Sequence, residues 1–229
     1  MKKTVLAAVL LFLSACSAQP QPVADHTASA EPEPSAEPAA VITALPEKTV
    51  PESALSEDSV LSAENIDNYL FLQNVMYIDL RTFEQVASEG SIAGFTVIPF
   101  YGVISDWSFK DNVLFTMSIR NNPEAAYPGD VGTYSPNYEE SEDILHEVFP
   151  EDKQIVFMST AGVEAAYMIN LLKQYGYDPS LLYNAGTFTN GIGNVTAYRD
   201  YPMHRYYTEG TDAYSVTASF SWGELHEIK

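Results

Sequence analysis

The stretch from Gln154 to Tyr177 constrains this chain more than any other. It opens with the apolar run Ile155 to Met158 and passes through Ser159, Thr160, Ala161, Gly162, Val163 and Glu164. Ala165, Met168, Ile169 and Leu172 then follow at helical spacing before Gly176. A short apolar run of this kind predicts a buried strand, and the periodic run closed by glycine predicts an amphipathic helix. A strand that feeds a helix through a short loop gathers backbone N–H groups and the helix's positive end around one small concavity, an arrangement suited to an anion. The first loop position is where a nucleophile would stand, and the last is where a charged side chain would close the cradle. Here those residues are Ser159 and Glu164.

The segments before it alternate. A helix is expected over about Ala63 to Leu72 with Ser62 as its cap, then a strand from Val75 to Leu80. A short helix around Phe83 to Ser88, a strand near Thr96 to Pro99 and a helix over Ser141 to Phe149, stopped by Pro150, follow. Such alternation predicts an α/β domain with a mainly parallel sheet and helices on both faces. In such sheets ligands bind at the carboxyl ends of the strands, and Ser159 lies at one.

Several short motifs, in order, resemble the rhodanese (sulfurtransferase) family over roughly residues 61–201. Tyr77-Ile-Asp-Leu-Arg-Thr82 is similar to that family's strand ending in Asp-x-Arg, Gly90-Ser-Ile-Ala-Gly94 to its Gly-His-Ile-x-Gly turn, and Leu181-Leu-Tyr-Asn-Ala-Gly186 to its last strand and glycine turn. The loop Ser159 to Glu164 corresponds to the family's active-site loop, which begins with a nucleophilic cysteine and ends with arginine. The resemblance implies a rhodanese-like fold, with Ser159, Gly162, Glu164, Asp79 and Arg81 as candidate binding residues.

The chemistry of the loop departs from that pattern. Sulfur transfer needs a thiolate that carries a persulfide, with its pKa lowered by positive surroundings. Serine cannot hold a persulfide, and Glu164 repels the anion that the loop amides would attract. Ser91 replaces the histidine of the turn, and the single cysteine, Cys16, lies far upstream. The expectation is a domain without sulfurtransferase activity that serves as a binding or scaffolding module. Two enzymatic alternatives stay open. Ser159 could act in a hydrolase or transferase if a base such as His146 or His204 came within reach, although the Gly-x-Ser-x-Gly elbow is missing. Residual sulfur transfer would need a thiol from outside. The plainer readings are a serine that fills space and a Glu164 that sits solvated in a first helical turn.

Cys16 belongs to another signal. Met-Lys-Lys, the apolar run Val5 to Leu13 and Leu13-Ser14-Ala15-Cys16 resemble a bacterial lipoprotein signal peptide over residues 1–15 that ends in a lipobox. The run is too short to span a bilayer as a permanent helix. The resemblance implies cleavage before Cys16 and its acylation, and hence an extracytoplasmic protein held to a membrane by lipid. Residues 16–60 are rich in Ala, Pro, Glu and Ser and read as a disordered tether. Its coil would span on the order of 35–40 Å.

Two additions extend the domain of residues 61–229. The insertion 101–138 holds Trp107, Phe109, Phe115, Tyr127, Tyr134 and Tyr138. It reads either as a lid over the Ser159 concavity or as additional core. Within the extension 212–229, strict alternation over Tyr214 to Trp222 predicts a half-buried strand.

Residues 61–229 carry 23 acidic and 8 basic side chains, a net charge of −15. A nucleic acid or an anionic membrane surface would repel such a domain, so an envelope protein or cell-wall partner fits better. The acidic run Glu139 to Asp143 lacks the spaced ligands of a calcium loop. The histidines, His26, His146, His204 and His226, show no ligand spacing. No metal or cofactor is expected.

Overall fold

The computed structural model describes residues 42–48, 59–106, 112–119, 132–185, 195–211 and 222–228. The signal peptide, Cys16, Trp107, Phe109, Tyr127, Gly186 and most of the alternating stretch Tyr214 to Trp222 lie outside these residues.

The described chain is α/β. Its strands are β1 (Val75–Asp79), β2 (Ser91–Ile92), β3 (Thr96–Val97), β4 (Ser105–Asp106), β5 (Phe115–Ile119), β6 (Gly132–Pro136), β7 (Gln154–Met158), β8 (Leu182–Asn184) and β9 (Tyr207–Thr208). Its α-helices are α1 (Phe83–Glu89), α2 (Ser141–Val148), α3 (Val163–Gln174) and α4 (Val195–Asp200). The central sheet has the order β3-β1-β7-β8, and every pairing in it is parallel. Crossovers run outward from β1 to β3 and from β7 to β8, so the direction of winding reverses between β1 and β7. That reversal opens a crevice at the carboxyl ends of two adjacent strands.

Alternation along the strands sorts the core onto two faces. Ile78, Ile155, Phe157 and Leu182 point to the face covered by α2 and α3, where Leu145, Phe149, Met168, Ile169 and Leu172 are buried. Tyr77, Val156, Met158 and Tyr183 point to the other, packed against Leu61, Ile66, Leu70, Ile92 and Tyr198 of α4. Each large apolar side chain fully buried in this way stabilises the fold by about 1.5–3 kcal/mol.

Local chemistry sets the element ends. In α1, Thr82 accepts from Gln85 N while the Gln85 side chain accepts from Thr82 N, a complete capping box. After α1 the chain turns at Gly90 with φ +90°, where a β-carbon would stand 2.4 Å from Thr208 O. Only glycine fits there.

Three expectations change or narrow. The helix over Ala63 to Leu72 is absent, and a single 3-10 turn, Ile66–Asn68, stands in its place. Its polar residues bond elsewhere: Asn65 accepts from Ser62 N and donates to Val60 O, and Asp67 accepts from Tyr198 Oη and Arg205 N. Such local and tertiary bonds compete with the helical ladder. Of the two readings open for the insertion, its described part fits additional core. It forms a sheet of order β4-β5-β6, and Phe115, Met117, Tyr134 and Tyr138 are buried in the cluster that includes α3. Gln174 clamps the β6 backbone, accepting from Tyr134 N at 2.9 Å and donating to Tyr134 O at 2.5 Å.

The third change concerns the tether. Residues 42–48 lie on the domain, with Leu45 only 6% exposed. Lys48 Nζ donates to Pro179 O at 3.0 Å and to Leu182 O, and stands 4.2 Å from the centre of the Tyr183 ring. Composition marks this stretch as polar and proline-bearing, but one leucine and one lysine stem suffice to seat it on the edge strand β8.

Candidate functional site

The crevice between β1 and β7 is where the sequence motifs meet. Leu80 N donates to Met158 O at 2.8 Å, which joins the two strand ends just before Arg81 and Ser159 diverge. Asp79 is completely buried and Arg81 is 2% exposed. Their pair is bidentate: Arg81 Nε lies 3.0 and 3.1 Å from the two Asp79 oxygens, and Nη2 lies 2.6 Å from Oδ2. The same guanidinium donates to Gly90 O at 2.9 Å and to Glu89 Oε2 at 3.2 Å. Arg81 therefore points into the turn after α1 and anchors it. Its five donors are a fork suited to a carboxylate, and Asp79 supplies that carboxylate.

Ser159 is 0% exposed. Its Oγ accepts from Ala165 N, in the first turn of α3, at 3.4 Å. The hydroxyl thus takes one of the N–H groups that an anion at the helix terminus would otherwise receive. Gly162, with φ +77°, carries the chain into α3 in the left-handed region. Ala166 N donates to its carbonyl at 2.9 Å, and Asn184 Nδ2, from the end of β8, donates to the same oxygen at 3.0 Å. Gln85 Nε2 of α1 reaches Thr160 Oγ1 at 3.3 Å. Thr160, Ala161, Val163 and Glu164 are half-buried.

Glu164 faces phenols. Burial and then the Glu164 carboxylate raise the pKa of Tyr101, with smaller contributions from Tyr167 and Asp106. Burial and Glu164 likewise raise that of Tyr167. Tyr134, 2% exposed, is raised by burial, Tyr167 and Tyr101. All three phenols stay neutral donors at ordinary pH. The rim of the loop is thus acidic and phenolic. Near a protein surface a unit charge 4 Å from another is worth about 4 kcal/mol, so a carboxylate at position 164 disfavours an anion placed beside it.

The described histidines lie elsewhere, and His26 falls outside the described residues. His146 Nδ1 is 2.8 Å from Glu151 Oε1 and its ring stacks on Tyr177. His204 Nδ1 is 2.7 Å from Tyr201 O, and His226 Nδ1 is 2.5 Å from Glu140 Oε1. Among the described residues no group of three or more His, Cys, Asp or Glu side chains is arranged to hold a metal ion, and no helix is long and apolar enough to cross a membrane.

Sequence reading gave no role to Asn184, Gln85, Tyr101 or Tyr167. Asn184 lay within the Leu181 to Gly186 motif, and Tyr167 left a signal as the i+3 neighbour of Glu164 on one helix face. No protein-family model matches the chain, and neither a curated protein nor a solved structure matches it.

Proposed function

We propose that this protein is a lipid-anchored, extracytoplasmic binding or scaffolding module with a rhodanese-like domain that does not transfer sulfur. The observation that carries this reading is the state of Ser159. It stands at the nucleophile's place, wholly buried, with its oxygen engaged by Ala165 N–H. Glu164 supports the same conclusion by giving the rim a negative charge. The rhodanese-like assignment draws support from the way its motifs bond to one another around a single crevice: Arg81 to Asp79 and Gly90, Asn184 to Gly162. The burial of Ser159 and the separate engagements of His146 and His204 count against a serine hydrolase.

Incubating the purified full chain with thiosulfate and cyanide tests the reading. No turnover that depends on Ser159 is expected, and thiocyanate formation lost in Ser159→Ala would overturn it. In-cell crosslinking of the wild type and a Ser159→Cys, Glu164→Arg double variant tests the binding role. A partner captured by the first and lost by the second marks the loop as its recognition surface.

A further inference from the structure

A second concavity lies away from this loop, where the start of α2, the turn before β5 and the C-terminal segment 222–228 meet. It is an open depression of about 500 Å³, lined in part by Asn112, Tyr138, Glu139, Trp222, His226 and Glu227. Its walls are pinned. Trp222 Nε1 donates to Asn112 O at 3.0 Å, which fixes the indole, and Glu139 N donates to His226 O at 2.9 Å. Tyr138 and Glu227 form a β-bridge, and Ile228 N donates to Asn137 O at 2.9 Å. Glu140 holds His226 twice, through its backbone N at 3.0 Å and its ring Nδ1 at 2.5 Å.

We infer that this cavity binds a small organic cation of the ammonium class. The inference does not depend on the reading of the Ser159 loop. An indole face attracts a cation through its quadrupole, and the carboxylates of Glu139 and Glu227 add charge of the matching sign. His226 brings the one basic ring on the lining, and it is paired with Glu140. The positive end of α2 lies close by and would oppose a cation with about half a unit charge, which the full charges of Glu139 and Glu227 outweigh. The volume falls within the range of about 300–1,000 Å³ usual for small-molecule sites. A neutral ligand would gain nothing from the acidic rim, and an anion would be repelled.

The test uses the purified full chain at constant ionic strength, with choline and its neutral isostere 3,3-dimethylbutan-1-ol as probes. The indole Nε1–H resonance of Trp222, assigned with Trp222→Phe, is followed by NMR. Choline is expected to shift it saturably, the isostere to bind at least about tenfold more weakly, and Glu139→Gln, Glu227→Gln to weaken choline by a similar factor. The double variant keeps every backbone bond of the pocket, so its remaining spectrum reports whether the fold is intact. Equal binding of the two probes, a shift that does not saturate, or choline affinity unchanged in the folded double variant would each overturn the inference.

Discussion

At the scale of single residues, the two charged groups that a sulfurtransferase comparison points to have different fates. Arg81 is locked to Asp79 inside the protein, whereas Glu164 is half-buried and helps to raise the pKa of Tyr101 and Tyr167. Arg81→Met leaves the Asp79 carboxylate buried and uncompensated, a change that costs about 3–5 kcal/mol. Urea unfolding should show it as a lower midpoint at nearly constant slope. Adding Asp79→Leu should restore part of the loss, because the pair's desolvation penalty disappears along with its attraction. Recovery of nothing would mean that Arg81 acts through Gly90 and Glu89 rather than through Asp79. Ser159→Cys alone should not create activity, since its sulfur would remain in the field of Glu164 with its thiolate disfavoured.

At the scale of elements, the strand–loop–helix unit was legible because each part carries its own signal. Four apolar residues, a glycine and a run at helical spacing correspond to β7, Gly162 and α3. Gly162→Ala should lower stability by about 1–2 kcal/mol, the cost of a side chain at its positive φ, as thermal unfolding would show. The helix expected over Ala63 to Leu72 failed for the opposite reason. Its Asn65 side chain bonds to Ser62 and Val60, its Asp67 side chain finds Tyr198 and Arg205, and sequence periodicity contains no trace of partners more than a hundred residues away. The same blindness hid the bond from Asn184 to Gly162 and left the β4-β5-β6 pairing of the insertion unread.

The C-terminal clip belongs to this scale too. Hydrogen bonds from His226 hold the Glu140 carboxyl below its usual range. A depressed carboxylate contributes fully above its unfolded pKa, and that contribution is lost as pH falls through the lower folded value. Protection of the His226 and Ile228 amides, taken relative to their intrinsic exchange rate at each pH, should therefore fall in acid and stay high near neutrality. Glu140→Gln should flatten that dependence, and an unchanged acid response in this variant would assign the effect to another group.

At the scale of the molecule, the parallel sheet ends at β8, whose outer edge would otherwise offer unpaired backbone groups to another chain. Lys48 engages Leu182 O and Ser59 Oγ donates to Asn184 O at 2.6 Å, so the N-terminal chain occupies that edge. Removing residues 42–48 should promote self-association, measurable by light scattering, with little effect on the central sheet. The anchor reading makes its own prediction: Cys16→Ser should move the protein out of the membrane fraction and abolish labelling by a palmitate analogue. Retention of both would reject lipidation at this position.

The seat of residues 42–48 also governs how the molecule responds to load. Any pull on the N-terminal chain reaches Lys48 and Leu45 before it reaches the sheet. Among the described residues these contacts tie one short stretch to the domain, so they should part first, before the main unfolding event. Their release would free the chain between residues 42 and 59, roughly 3.3–3.6 Å of slack per residue, while the domain stays folded. The seat of residues 42–48 is a mechanical fuse, and its rupture would register in single-molecule stretching as a small first extension preceding the main unfolding event.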